Sequence, residues 1–365
     1  IANQTYTRAA LTPAVVVKDG ATTLTAITDY TVAYTDNINV GTATVTITGA
    51  GNYTGTKTQT FAIVPKDAST LTIDAIANQT YSGSALTPAV VVKDGATTLT
   101  ATTDYTVAYT NNTNAGTATV TITGAGNYTG TKTQTFTILA KAASTLTIDA
   151  IANQTYSGSA LAPAVVVKDG NTTLTATTSY TVAYTSNTNV GTATVTITGA
   201  GNYSGTKTQT FSIVAKAAST LTIDAIANQT YTGTALTPAL VVKDGATTLT
   251  ATTDYTVAYT ENTNVGTATV TITGTGNYTG TKTQTFRIVK LVSSTTIDPI
   301  ANQTYSGTVI APVVVVKEGN TTLTLDTDYT VAYTANANVG TATVTITGVG
   351  NYTGTKTQTF TIAAK

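Results

Sequence analysis

The side chains that could do chemistry here are tyrosines, threonines, lysines with asparagines, and a few aspartates, and they return at fixed places. In the stretch 76–150 the tyrosines are Tyr81, Tyr105, Tyr109 and Tyr128, and a surface row of them could stack on sugars. Tyr105 and Tyr109 share strand parity with Val107, so packing at a core edge with hydroxyls at the rim is the stronger reading. Tyr128 follows Gly126-Asn127 and is placed to bond back to the backbone as a corner tyrosine. Threonine forms two alternating rows, Thr117 to Thr123 and Thr131 to Thr137. Such ladders could order water, bind ice or carry O-linked sugars. They are also what an exposed strand face prefers, because threonine is polar and β-branched.

Calcium would need several converging oxygens. Asp94 and Asp104 are the only acids inside the body of the second repeat, with Asp74 ahead of it, and Ser179 replaces the counterpart of Asp104 in the next. Lys93 and Lys132 with Asn78 and Asn127 are the candidates for a Lys–Asn isopeptide crosslink. No glutamate sits on an apolar strand face to assist it, so both lysines read as solvated strand-end residues. Sequons such as Asn127-Tyr-Thr129, Asn202-Tyr-Ser204 and Asn320-Thr-Thr322 carry little weight in so threonine-rich a chain. Glycine pairs such as Gly124 and Gly126 follow strands and open no helix, which excludes a nucleotide-binding loop.

Composition removes most other chemistry. The chain has no His, Cys, Met or Trp. That leaves no ordinary zinc site, no Ser–His or Cys–His pair and no haem ligand set. No catalytic, cofactor-binding or metal-binding residue is assigned, and an enzyme is not expected. Seventeen basic and seventeen acidic residues make 9% charged and a net charge of zero. This argues against nucleic acid and anionic lipid as partners, and it favours self-association. Apolar runs such as Ala89 to Val92 are far too short for membrane insertion. The chain opens on Ile1 with no signal peptide, which reads as a processed chain or a window from a longer one.

What must position these residues is a repeat. Ile-Ala-Asn-Gln-Thr-Tyr starts at Ile1, Ile76, Ile151, Ile226 and Ile300. A period of that length over the whole chain is an array of like modules. Within one module, Pro88 to Asp94 reads as a strand, Asp94-Gly95 as a hairpin turn, and Asp104 to Thr110 as the next strand. Asn111 to Gly116 is a loop. Gly116 to Gly124 alternates strictly, with Ala118, Val120 and Ile122 on one face, and Thr131 to Ile138 alternates again. No window carries a helical period.

The motifs Asp104-Tyr-Thr-Val-Ala-Tyr, Gly116-Thr-Ala-Thr-Val-Thr-Ile-Thr-Gly and Gly126-Asn-Tyr-Thr-Gly-Thr-Lys resemble the tandem bacterial immunoglobulin-like repeats of large cell-surface adhesins and extracellular matrix proteins. The resemblance covers all five repeats. It implies an all-β chain, a linear array of five small immunoglobulin-like β-sandwich modules of about seven strands each. It also implies an extracellular or cell-surface place, as stalk or fibre. The modules are expected at 1–66, 67–141, 142–216, 217–290 and 291–365. Their connectors, such as Leu139-Ala-Lys-Ala-Ala-Ser144, contain no glycine and should bend little. At ~3.3 Å per strand residue each module should advance roughly 35 Å, and five should make a rod of ~180 Å.

Modules two to five are each preceded by a strand of the type Thr70-Leu-Thr-Ile73, whereas module one begins at Ile1 without it. Its sheet should have an unpaired edge. Excision from a longer array explains this; donation of the strand by another subunit is the second reading. The function expected is a rigid structural stalk or filament of a bacterial surface or biofilm matrix, with neighbouring copies in a fibre as partners. The alternative is an adhesin whose loops at Asn111 to Asn114 and equivalents bind glycans or host surfaces. Against it, those loops begin with Asp36, Asn111, Ser186, Glu261 and Ala335, which no shared recognition site would tolerate.

Overall fold

A computed structural model describes residues 1–365. The chain is all-β and carries five tandem β-sandwich modules. It divides into two compact units, one of Ile1–Ala150, Val165–Ala183 and Val195–Gln209, the other of Ile151–Ala164, Tyr184–Thr194 and Thr210–Lys365. No helix is long and apolar enough to cross a membrane.

In the first unit, the second module sets the pattern. A four-stranded sheet runs Tyr105–Thr110, Gly116–Gly124, Thr131–Leu139, Gln79–Thr80. The first three strands are antiparallel, with Val107 opposite Ile122 and Val120 opposite Gln134. Gln79–Thr80 joins parallel to Ile138 and Leu139. A second sheet of Thr72–Ile73, Val92–Asp94 and Thr97–Thr98 faces it. Alternation in the long strands sends Ala118, Val120 and Ile122 into full burial, where Ile122 meets Val92, Leu99 and Tyr105. The threonines between them turn outward, Thr119 opposite Thr135 and Thr121 opposite Thr133. In the second unit the fifth module repeats this arrangement, with Val316, Leu323, Tyr329 and Ile346 in its core.

Three local expectations shift. The strand expected at Pro88–Asp94 is paired only over Val92–Asp94. Ahead of it the chain is tied by Leu86 N donating to Asn112 O (2.8 Å), Asn112 Nδ2 to Leu86 O (2.9 Å) and Tyr109 OH to Pro88 O (2.5 Å). Proline lacks an N–H for a ladder, so side chains supply the bonds. The hairpin turns at Gly95-Ala96, one residue beyond the expected place, because Asp94 still pairs with Thr97 and Gly95 takes φ 58°. Four single-turn 3-10 helices, Ala68–Thr70, Ala143–Thr145, Ala218–Thr220 and Val292–Ser294, stand where no helix was expected. Three residues are too few to show a period.

In module one the second sheet is only Lys18–Asp19 with Thr22–Thr23.

Candidate functional site

The recurring polar residues converge on the junctions between modules. The connector is the first element to explain. After Leu139 and Ala140 the chain re-enters a strand at Lys141–Ala142, parallel to Tyr203–Ser204 of the third module. It then makes its 3-10 turn and buries Ala143 and Leu146, 0% and 1% exposed, in that module's core. Alternating small and apolar residues in the connector thus face inward. It is a strand of the following module and not a linker.

Around this strand, Asn202 makes three hydrogen bonds at the junction. Its Oδ1 accepts from Ala115 N (2.7 Å), its Nδ2 donates to Asn114 Oδ1 (2.9 Å), and its carbonyl accepts from Lys141 N (2.9 Å). Lys141 Nζ pairs with Asp169 Oδ1 at 2.6 Å, and Tyr203 OH donates to Asp169 Oδ2 at 3.2 Å. Beneath the clamp, Tyr81 of the second module meets Tyr203 edge to face, centroids 5.6 Å apart. Tyr81 packs both with its own module's Phe136 cluster and with the Leu146 cluster of the next, so apolar packing is continuous through the junction.

The set repeats. Asn127 bonds Val40 and Asn39 and accepts from Lys66 N, Lys66 pairs with Asp94, and Tyr6 meets Tyr128 at 5.5 Å. In the second unit Asn277 bonds Val190 and Asn189 and accepts from Lys216 N, Lys216 pairs with Asp244, and Tyr156 meets Tyr278 at 5.5 Å. The fourth junction differs. Its connector is one residue shorter, and the last strand of module four runs unbroken over Thr281–Leu291 to pair with Tyr352–Thr353. There Arg287 Nη2 donates to Gly350 O (2.9 Å), Lys290 pairs with Glu318 (2.7 Å), and Lys290 Nζ lies 5.5 Å from the Tyr231 ring centre.

These contacts correct several residue readings. Tyr128 bonds the Asp94 carboxylate (3.2 Å) and not the backbone. The backbone-bonding tyrosines are Tyr109 and Tyr105, the latter to Val90 O at 3.4 Å. Lys93 is paired with Asp74 (2.6 Å), and Lys132 donates to the carbonyls of Ser69 and Leu71, so neither is a free strand-end lysine. Asp94 is taken by Lys66 and Tyr128, while Asp104 accepts from Thr100 N (2.8 Å). They serve separate contacts and do not converge. The loops at Asn111–Asn114, candidates for glycan binding, spend Asn112 on Leu86 and Asn114 on Asn202. Sequence reasoning passed over Asn127 and Asn202 as chance sequons; their strict return after Gly-x-Gly was the signal available.

Burial and the Asp169 carboxylate push the Tyr203 hydroxyl up to about 12. An unfolded tyrosine ionises near 10, so the folded state holds its proton more tightly. The stability this adds is complete below pH ~10 and falls away as pH rises towards the folded value. Module three of Tyr203→Phe should therefore lose less stability between pH 10 and 12 than the parent, measured by denaturant melts with phenolate absorbance followed in parallel. At acid pH the Lys290 contact holds the Glu318 carboxyl below its usual range.

No family model matches the chain, and no curated protein matches it. Solved structures of tandem extracellular modules do. They include the N-terminal eight Ig domains of Down Syndrome Cell Adhesion Molecule, 10% identical, TM-score 0.26, over 89% of this chain and 53% of that one. Sidekick-1 immunoglobulin domains 1–5 match at 10% identity and TM-score 0.20, over 89% of this chain and 86% of theirs. Domains 1–6 of the surface layer protein SbsC match at 16% identity and TM-score 0.18, over 90% and 60%. The chain thus spans about half the length of the first of these, and likenesses so distant leave its role to be read from its own junctions.

Proposed function

We propose that the chain is a stiff structural spacer, a stalk or filament segment of an extracellular surface or matrix, built from modules 1–66, 67–141, 142–216, 217–290 and 291–365. The lysines at 66, 141, 216 and 290 then lie at the seams and belong structurally with the module that follows. The observation that carries this reading is the junction. Tyr81 on Tyr203, Asn202 on Asn114 and the Lys141–Ala142 strand tie modules two and three together by ring contact, side-chain bond and strand pairing. Gly- and Ser-rich connectors would swing; strand-paired, core-burying ones resist bending.

The outward Thr rows, uncharged and flat in chemistry, support lateral packing of copies in a fibre, since neither face repels the other. A glycan-binding adhesin gains no support, because its loop asparagines are spent on the junctions. Negative-stain microscopy of the purified chain should show straight particles with a repeat of roughly 35 Å. Flexible, kinked strings would sink the spacer reading.

A further inference from the structure

The five repeats are close enough in sequence that their differences stand out, and two of them meet in one cleft. Ala115 stands where the other modules carry Val40, Val190, Val265 and Val339. Ser179 stands where they carry Asp29, Asp104, Asp254 and Asp328. One residue belongs to module two and the other to module three, yet both line a cleft of about 720 Å³ where these modules meet. Small-molecule sites run from roughly 300 to 1,000 Å³, so the space is of the right size. Alanine withdraws two methyl groups from one wall, and serine withdraws a carboxylate from the other.

The lining is polar, neutral and partly aromatic. Its only charged side chains, Lys141 and Asp169, pair with each other at 2.6 Å. Between modules three and four the equivalent set, Lys216, Asp244 and Asp254, keeps an unbalanced negative charge. In the four modules with aspartate, its carboxylate accepts from a threonine N four residues earlier at 2.8 Å. Ser179 makes no such bond, and its hydroxyl, with those of Thr172 and Thr178, has no protein partner. Tyr81, Tyr203 and Leu174 supply the apolar part of the wall, and Tyr81 and Leu174 are only half-buried.

We propose that this cleft binds one neutral pyranose sugar. A pyranose carries hydroxyls that both donate and accept, and so do Ser179, Thr172 and Thr178. Its C–H face is apolar and suits the tyrosine wall, which is apolar in body and polar at the hydroxyl. A charged ligand would find the two ions of the cleft already paired with each other. The site occurs once, because only this junction carries both changes, whereas a multivalent adhesin would need it at every module. The binding goes beyond the spacer reading and does not rest on it, since the cleft is local to one junction whether the array is stiff or flexible.

The test applies saturation-transfer NMR and calorimetry to the 365-residue chain, with the methyl glycosides of glucose, galactose, mannose and N-acetylglucosamine as probes. At least one should bind saturably, at one site per chain. Ala115→Val with Ser179→Asp, which installs the residues native to the other four modules, should weaken that binding at least tenfold. Those side chains are accommodated at the other junctions, so the double variant should melt like the parent, and a loss of binding then reports on the cleft. The converse change, Val190→Ala with Asp254→Ser, should add a second site between modules three and four. Methyl glucuronide, which carries a carboxylate, should bind at least tenfold more weakly than the best neutral probe. Saturable binding by none of the four, undiminished binding to the Ala115→Val, Ser179→Asp variant, no second site in the converse variant, or equal binding of the glucuronide would each overturn the assignment. Straight particles in the microscope without sugar binding would leave the spacer reading standing and remove this one alone.

Discussion

Replacing Tyr203 by alanine is expected to cost module three about 3–5 kcal/mol, the usual penalty for deleting a large buried aromatic. Tyr203 is 6% exposed, closes the core beside Leu146 and Ile197, bonds Asp169 and receives the edge of Tyr81 from the module before. Hydrogen exchange read module by module is the right measurement, since a five-module chain need not unfold in two states. Exchange in module three should rise by orders of magnitude. The distinguishing result lies at Tyr81, which belongs to the other module. Tyr81→Ala should also weaken module three, and the double variant should reveal a coupling of roughly 0.5–1.5 kcal/mol, typical of an aromatic pair. Additive effects would show that the modules are merely adjacent.

Leu221→Ala is the second large effect, about 2–5 kcal/mol from module four. A leucine in a true linker would be lost without consequence. Leu221 is instead 0% exposed and packs with Ile223, Val242, Tyr255 and Ile272. Alanine would leave a cavity against residues from both sheets, which relax only in part. Denaturant melts should show one module unfolding early while the others hold, and an unchanged melt would return the connector to linker status.

Much of the architecture was legible from local pattern. Ala118, Val120 and Ile122 alternate with threonines, and alternation of period two has one physical meaning, a strand with a wet face and a dry face. The connectors were misjudged because Lys-Ala-Ala-Ser has too little apolar content to announce burial. Ala143 is buried wholly because a neighbouring sheet covers it, and nothing local says so. The same holds for Asn202, whose partners Asn114 and Ala115 are distant in sequence and belong to the preceding module.

The sequence by itself determined the repeat, the strand faces and the absence of histidine and cysteine chemistry, because these depend on residue type and on spacings of two and seventy-five. Only the tertiary structure decided what the recurring Tyr, Asn and Lys are for. Their partners sit some 87 residues away, as from Asn202 to Ala115, and meet only when one module's loop is laid against the next module's turn. Periodicity reports the environment of a strand; it cannot report a contact between strands of different modules.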